Sequence, residues 1–563
     1  MAIAANLIFA GSFLFYFMFS GPLYIMPGIY YAAPVVVFTY LILFSGVSAY
    51  ITGKTFKKSF LSCSPVLFVF ILLFLSPLAV KFNFPEPHNF MQRKLELVLG
   101  ISYALFIISA AGLLFMEILK NEKGYKNPAV LCAAFFIVFS GVSVWMNHAN
   151  QPTGDEPVYL LTAHSLIHDF DLDLKNNFEN KDYSGFYKGE LKPQERDIKE
   201  KIVSFHPVMI SVLITPFYLT AGRMGVTLFI NLMAALFCCL LYLILVKGGH
   251  NEKNSFITAF LTGMSMPFIL FTNQIATETA SAFFLAAAYY FIRYQKNRIF
   301  IPALSAIFFM WLHPRNMVVW GVLCVIALIE YRVEIKKALV FAASQGAGLI
   351  VFLFYNYAVF GHIMPPAMEK PVSSVSEVFS LNIAGMAGIL FDQEFGLFFF
   401  TPVFSLMFAG AVLMFKRDKK TFYYIMAMFI PLFILVTAWI DWRGGGGSGP
   451  RFLVPVILMV SLLTAEVLNA CDNAEKKKVF YILAGIGLVI SAVIFLVPWF
   501  RWNKGLGENW IFKFLPSAGN FEVSSLFPSI WAKSAGWQIK TVLWAGAAVL
   551  LNVFFLKDNK LKR

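Results

Sequence analysis

Residues 128–161 read PAVLCAAFFIVFSGVSVWMNHANQPTGDEPVYLL, and they set the class of the whole chain. The first 20 residues, 128–147, carry no charge. Pro152 and Gly154 then break the run, and the adjacent carboxylates Asp155 and Glu156 follow, with Pro157 directly after them. A membrane-spanning helix needs about 20 apolar residues. The stretch therefore predicts a spanning helix that ends in a turn and presents an acid pair at the membrane edge.

Similar runs recur along the chain. Of its 563 residues 59% are hydrophobic, 17% aromatic and 13% charged, against about 25% charged in a soluble domain. Apolar runs near 4–20, 24–51, 60–80, 97–119, 128–147, 224–246, 255–271, 278–294, 299–313, 316–331, 336–359, 394–415, 421–440, 452–470, 479–498 and 538–556 predict an all-α polytopic membrane protein of about 16 transmembrane helices. The first 53 residues contain no Asp, Glu, Lys, Arg or His. They lack the basic start of a cleavable signal peptide and read as retained membrane helix.

The formal charge of +14 does not point to nucleic acid. Of the 45 basic residues, 25 fall in eight short clusters between apolar runs, from Lys54/Lys57/Lys58 to Lys557–Arg563. Lys and Arg favour cytoplasmic loops, and with both termini inside, all eight clusters land there. Segment 207–221 is apolar but short; counted as a span it would invert everything after it. It reads as a juxtamembrane helix on the outer surface.

Three loops, 148–206, 360–393 and 499–537, then lie outside. Residues 148–205 hold eleven Asp/Glu and seven Lys/Arg, too short a stretch for a core of its own, so this loop is expected to cap the bundle. Glu117, Glu278, Glu330 and Glu466 sit near span ends, and no ionisable residue falls at mid-depth. That pattern disfavours an ion-coupled transporter, which usually buries such groups along its path. Cys63, Cys132, Cys238, Cys239, Cys324 and Cys471 have neither disulfide context nor zinc-ligand spacing.

The residues able to do chemistry gather at the outer edge. Asp155 precedes Pro157 and sits where an N-cap belongs; a capping aspartate and a general base held by a rigid turn are compatible readings. With Glu156 it also offers two carboxylates to a divalent ion, so metal dependence stays open. In HSLIHDFDLDLKNN, Asp169, Asp171 and Asp173 alternate with Phe170 and Leu172, which reads as a solvated amphipathic strip. The sixth-position glycine and twelfth-position glutamate of a calcium loop are missing.

Arg315 in WLHPRNM, Arg443 and Arg451 around DWRGGGGSGPR, and Lys370 in MPPAMEK are outer-edge cations. Each reads as a snorkelling anchor or as a partner for a phosphate-bearing ligand. Gly444–Gly447 offers N–H groups to an anion or serves as a linker; no Lys-Ser/Thr follows, so it is not a P-loop. Gln274 and Glu278 in TNQIATE, and Asp392 and Glu394 in LFDQEFG, line the same site or cap helices.

The acid pair after a span, an acidic outer loop with a surface helix, and GPRFLVP opening a late span together resemble the GT-C superfamily of membrane glycosyltransferases. Residues 154–225 are similar to the group of protein O-mannosyltransferases and the lipid A aminoarabinose transferase, as are QIATETASAFFLAAAY and GLFFFTPVFSLMFAG. The resemblance covers roughly residues 128–470. It implies accessory helices over 1–127 and a catalytic membrane domain over 128–563, which includes an acidic loop at 148–223 and the loop 499–537. It implies a polyprenyl-phosphate-linked sugar as donor and a glycan, lipid or protein hydroxyl as acceptor. Asp155 would be the base and Glu156 its orienting neighbour, with Arg451, Arg315, Lys370 and Arg443 on the donor phosphate and His206 near the donor. It places the protein in the bacterial cytoplasmic membrane with its site on the periplasmic face. A lipid or glycan transporter, a polymerase or ligase using a pyrophosphate-linked glycan, and a non-catalytic assembly protein are the competing classes.

Overall fold

In the computed structural model of the chain, the described residues are 89–192, 196–198, 201–363, 379–471, 473–503, 505–514 and 522–557. The expected spans 4–20, 24–51 and 60–80 lie outside them, as does Lys370. Contacts divide the chain into two units, one of Met1–Pro152 with Ile494–Pro498 and one of Thr153–Val493 with Trp499–Arg563.

The first unit contains α1 (Asn89–Lys120), α2 (Glu122–Tyr125) and α3 (Pro128–Ala149). Asn127 caps α3 by accepting from the Ala129 N–H at 3.0 Å, and Pro128 fills the first helical position, where a missing N–H costs nothing. Phe115 of α1 packs on Phe135 of α3, ring centroids 5.1 Å apart.

The second unit opens with α4 (Glu156–His168), α5 (Lys175–Glu179), the short antiparallel pair β1 (Arg196–Ile198) and β2 (Lys201–Val203), and α6 (Val208–Lys247). It continues through α7 (Glu252–Met264), α8 (Phe268–Phe271), α9 (Thr277–Tyr294), α10 (Phe300–Leu312), α11 (Asn316–Tyr331) and α12 (Ile335–Phe360). After 379 come α13 (Ile383–Phe391), α14 (Leu397–Phe400), α15 (Met407–Arg417), α16 (Lys419–Ala438) and α17 (Ile457–Ala470). The last two are α18 (Ala474–Leu496), whose final three residues are assigned to the first unit, and α19 (Trp537–Leu556).

Among the described residues seven helical segments are long and apolar enough to cross a membrane: Pro128–Ala149, Val208–Lys247, Ile335–Phe360, Lys419–Ala438, Arg451–Ala470, Ala474–Leu496 and Trp537–Leu556. Phe300–Leu312 and Asn316–Tyr331 are shorter apolar helices. Phe354 on α12 and Leu550 on α19 are 69% and 72% exposed. Exposed to water, such side chains would forgo about 2 kcal/mol each of hydrophobic stabilisation; facing lipid tails they forgo almost none. The chain is an all-α membrane protein.

Two expected spans are not continuous. The run 255–271 is interrupted where Ser265 turns extended and Pro267 follows, leaving α7 and the single turn α8. The run 394–415 breaks at Thr401 and Pro402, becomes 3₁₀ to Leu406 and resumes as α15. Both breaks fall at proline, which removes a backbone donor and clashes with the preceding turn. The short segment expected at 207–221 is the first part of α6. It ends where Ala221 leaves helical geometry and Gly222 takes φ +55°, a conformation that suits glycine. Its inner face buries Ile210 and Ile214 against Tyr159, Leu160 and Leu161 of α4.

The amphipathic strip expected at 169–173 is instead a chain of turns. Phe170 takes φ +60°. Asp171 Oδ1 accepts from Ser165 Oγ at 3.0 Å and from the Asp173 N–H at 3.1 Å. Asp173 Oδ1 accepts from Lys175 N–H and Ile202 N–H at 3.1 and 3.0 Å. These aspartates satisfy loop N–H groups, the usual local use of the residue in turns.

Polar residues collect at the two ends of α9, which at about 1.5 Å per residue are roughly 27 Å apart. At its C-terminal end Glu330 receives Arg293 at 2.6 Å, Lys296 at 2.8 Å and Lys420 at 2.7 Å. Glu466, at the end of α17, binds Arg417 and His250. These partners let carboxylates sit near the ends of apolar helices. The N-terminal end of α9 holds Glu278.

Helices α15 and α17 touch at Gly410, where an added Cβ would lie 1.8 Å from the Leu463 carbonyl oxygen. Small residues permit such backbone approach. G410A is expected to lower the thermal midpoint of the detergent-solubilised protein by a loss of about 1–3 kcal/mol, the usual range for overpacking. An unchanged midpoint would show that the two backbones do not meet there.

Candidate functional site

The acid pair starts α4. Gly154 takes φ +61°, the Glu156 N–H donates to the Thr153 carbonyl at 3.3 Å, and Pro157 stiffens the first helical turn. Asp155 occupies the N-cap position, but its side chain makes no capping bond and its backbone is already helical. The expected cap is therefore corrected. A charge-assisted bond to arginine is about twice as strong as a neutral one, and Asp155 makes that instead: Arg451 Nη2 donates to its Oδ2 at 2.5 Å.

Arg451 enters from the turn that precedes α17. Its Nε donates to Glu278 Oε1 at 2.7 Å, and Arg315 Nη2 donates to the same oxygen at 2.7 Å. Residues from four parts of the chain thus form one line, Asp155–Arg451–Glu278–Arg315, of two carboxylates and two guanidiniums. Glu278 is fully buried and Arg315 nearly so, while the Asp155 and Arg451 side chains keep 23% and 21% of their surface. The line has a dry inner end and an accessible outer end. Arg315 also lies 4.6 Å from the centre of the Phe452 ring, one residue beyond Arg451.

Asp155 lies outside the seven spans. Burial works to raise its carboxyl, but the Arg451 guanidinium, helped by His206 and Arg315, outweighs that effect and holds it at about 2. His206 packs edge-on against Tyr159, centroids 5.6 Å apart, and stacks on Phe205 at 4.2 Å. Burial pushes the His206 imidazole down, against the pull of Asp155.

Glu156 points to a different partner. It is buried, and its Oε1 lies 3.9 Å from Nη2 of Arg501. Burial raises its carboxyl, with Arg501 and Arg223 opposing. Arg501 has no exposed surface. Sequence reading missed it, because a single arginine after a long apolar run carries no pattern.

Asp155 and Glu156 are each directed to a separate arginine, and no group of three or more His, Cys, Asp or Glu among the described residues is placed to hold a metal ion.

The remaining candidates fall elsewhere. Arg443 pairs with Asp441 at 2.7 Å and lies over the Trp531 ring at 4.1 Å. Gln274 is buried, and its Nε2 finds no hydrogen-bond partner among the described residues. Asp392 and Glu394 neither cap a following helix nor join the arginine line. Asp392 Oδ2 accepts from the Ile530 and Trp531 N–H groups at 2.6 and 3.1 Å. Glu394 accepts from the Gly505 and Gly507 N–H groups at 3.1 and 3.0 Å. Together they clasp the loop after α18. The glycine run is tied to the segment after α18: the Asn503 N–H donates to the Gly446 carbonyl at 2.7 Å and the Ser448 N–H to the Arg501 carbonyl at 2.8 Å.

Comparison of the chain with protein-family models, with curated proteins and with solved structures returned no match.

Proposed function

We propose that this protein is a membrane glycosyltransferase of GT-C type that moves a sugar from a polyprenyl-phosphate donor to an acceptor hydroxyl of a glycan, lipid or protein. The observation that carries the reading is the accessible end of the arginine line, where a carboxylate and a guanidinium lie side by side with buried charges behind them. Transfer from a phosphate-linked sugar needs a base for the incoming hydroxyl and a cation for the departing phosphate, and this pair supplies both.

In the reaction the acceptor oxygen bonds to the anomeric carbon as the bond from that carbon to the lipid-phosphate oxygen breaks. The hydroxyl proton passes to Asp155, and the bonding pair leaves with the phosphate, whose charge Arg451 stabilises. A single displacement inverts the anomeric centre. Glu278 and Arg315 hold Arg451 from the buried side, and His206 with Tyr159 lines the approach to Asp155. The cation-rich end of α9 lies opposite the site, which with the cytoplasmic preference of Lys and Arg supports reading the reaction as one on the outer, periplasmic face of a bacterial cytoplasmic membrane. The sixteen-span topology, the accessory role of 1–127 and a phosphate contact from Lys370 or Arg443 belong to the same proposal.

The test is turnover of a panel of polyprenyl-phosphate hexoses and pentoses by purified protein in lipid nanodiscs, together with mass spectrometry of surface glycans in cells with and without the gene. The expected result is release of polyprenyl phosphate from at least one donor and loss of one sugar from the cell surface. No release from any donor, with unchanged surface glycans, would overturn the reading.

A further inference from the structure

The residue that calls for explanation is Arg501. Its guanidinium is fully buried, and its Nε and Nη1 have no hydrogen-bond partner among the described residues. Among the described residues Nη2 reaches Thr153 Oγ1 at 3.4 Å and Glu156 Oε1 at 3.9 Å, and the cation lies 5.1 Å from the centre of the Trp502 ring. Removing an arginine from water costs several kcal/mol, and a partner this loose returns little of it. Packing alone would be served better by an apolar side chain.

Its placement is not left to chance. The backbone of 501–503 is paired with the glycine run through the Ser448 N–H to Arg501 carbonyl and Asn503 N–H to Gly446 carbonyl bonds. Ser448 Oγ donates to the Phe500 carbonyl at 2.7 Å, and Asn503 Nδ2 donates to Ser448 Oγ at 2.9 Å. Asn503 Nδ2 also donates to the Glu394 carbonyl at 3.0 Å, and the Glu394 carboxylate holds Gly505 and Gly507. Ser448 is three residues before Arg451. One paired segment therefore presents two arginines to one turn: Arg451 takes the carboxylate of Asp155, and Arg501 takes the residues on either side, Thr153 and Glu156.

We infer that Arg501 is a positioning residue, the second arm of a clamp that fixes the Thr153–Glu156 turn and so aims the Asp155 carboxylate at Arg451. It touches neither donor nor acceptor. The inference rests on the transferase reading only for its kinetic consequence; the clamp itself is a statement about the coupling of Arg501 to Asp155.

A thermal double-mutant cycle on the full chain in nanodiscs tests it without any substrate. D155N is measured in the wild-type, R501A and R501M/E156M backgrounds. If Arg501 aims Asp155, the fall in midpoint caused by D155N shrinks by about half or more in both altered backgrounds, because residues acting through one contact are non-additive. Equal falls in all backgrounds would overturn the clamp. R501M/E156M removes both buried charges together, so it keeps the cycle readable if R501A alone strands Glu156 and fails to fold. On a donor that the wild type turns over, R501A is expected to lower kcat about 100-fold with KM within about threefold, and R501K to recover part of it. A rise in KM at unchanged kcat would assign Arg501 to ligand binding and overturn the positioning role. Absence of turnover by the wild type would count against the transferase alone and leave the thermal cycle to decide.

Discussion

D155N is expected to leave a folded, membrane-inserted protein whose transfer rate falls by about 10²–10⁴-fold, the usual contribution of a positioned general base. The amide keeps the shape of the side chain and can still meet Arg451 through its oxygen, so the lost term is proton acceptance. KM for the donor should not rise and is expected to fall, because Arg451 remains to meet the phosphate and loses the carboxylate that competes for it. Glu278 gives the necessary contrast. It is fully buried between Arg451 and Arg315, and E278Q takes away the charge that both guanidiniums answer. Breaking a buried pair in this way typically costs about 3–5 kcal/mol, so E278Q should lose folded protein as well as activity. Turnover near the wild-type rate by D155N would remove Asp155 as the base; the assay is initial-rate release of polyprenyl phosphate, with thermal midpoints as the folding control.

The sequence marks all four members of the arginine line as candidates but not the pairs they form, and it does not mark Arg501. Asp155, Arg451 and Arg315 were legible because charge is scarce beside apolar runs, so each charged residue at a span end invites a function. Glu278 was legible as a position, though its partners were not. The cap assigned to Asp155 follows a local preference that a stronger long-range ion pair displaced, the partners being 296 positions apart. Arg501 stands at a span end too, but its partner Thr153 lies 348 residues away, and the sequence does not connect the two. Asp392 and Glu394 read as site or cap residues because acids at a span entry do either. Their actual work, holding backbone N–H groups of the loop after α18, depends on a loop more than 100 residues away. Among the described residues the helical class followed from apolar run length, while the breaks at Pro267 and Pro402 ran against continuous spans that a hydropathy count favours.

The ion pair that makes Asp155 visible also makes it a poor base in the resting protein. Held at about 2, its carboxylate has little affinity for a hydroxyl proton at neutral pH. Under the transferase reading the donor relieves this. A phosphate arriving at Arg451 competes with Asp155 for the same guanidinium, and as Arg451 turns outward the Asp155 carboxyl loses its main lowering influence while burial keeps raising it. Donor binding then strengthens the base, and the hydroxyl of an acceptor is activated only when a sugar is there to receive it. The sign can be read from pH profiles. The acid limb of kcat/KM for the donor reports the free enzyme and should sit near the low value of the paired carboxylate. The acid limb of kcat reports the donor complex and should appear at distinctly higher pH. R451K keeps a positive charge but loses the two-pronged grip on Asp155 and Glu278, so it should raise KM for the donor about 10-fold or more and move the limb of kcat/KM upward towards the ordinary aspartate range. Coincident limbs in the wild type, or an R451K profile that does not move, would mean that Arg451 does not change hands and that Asp155 acts, if at all, from within its salt bridge.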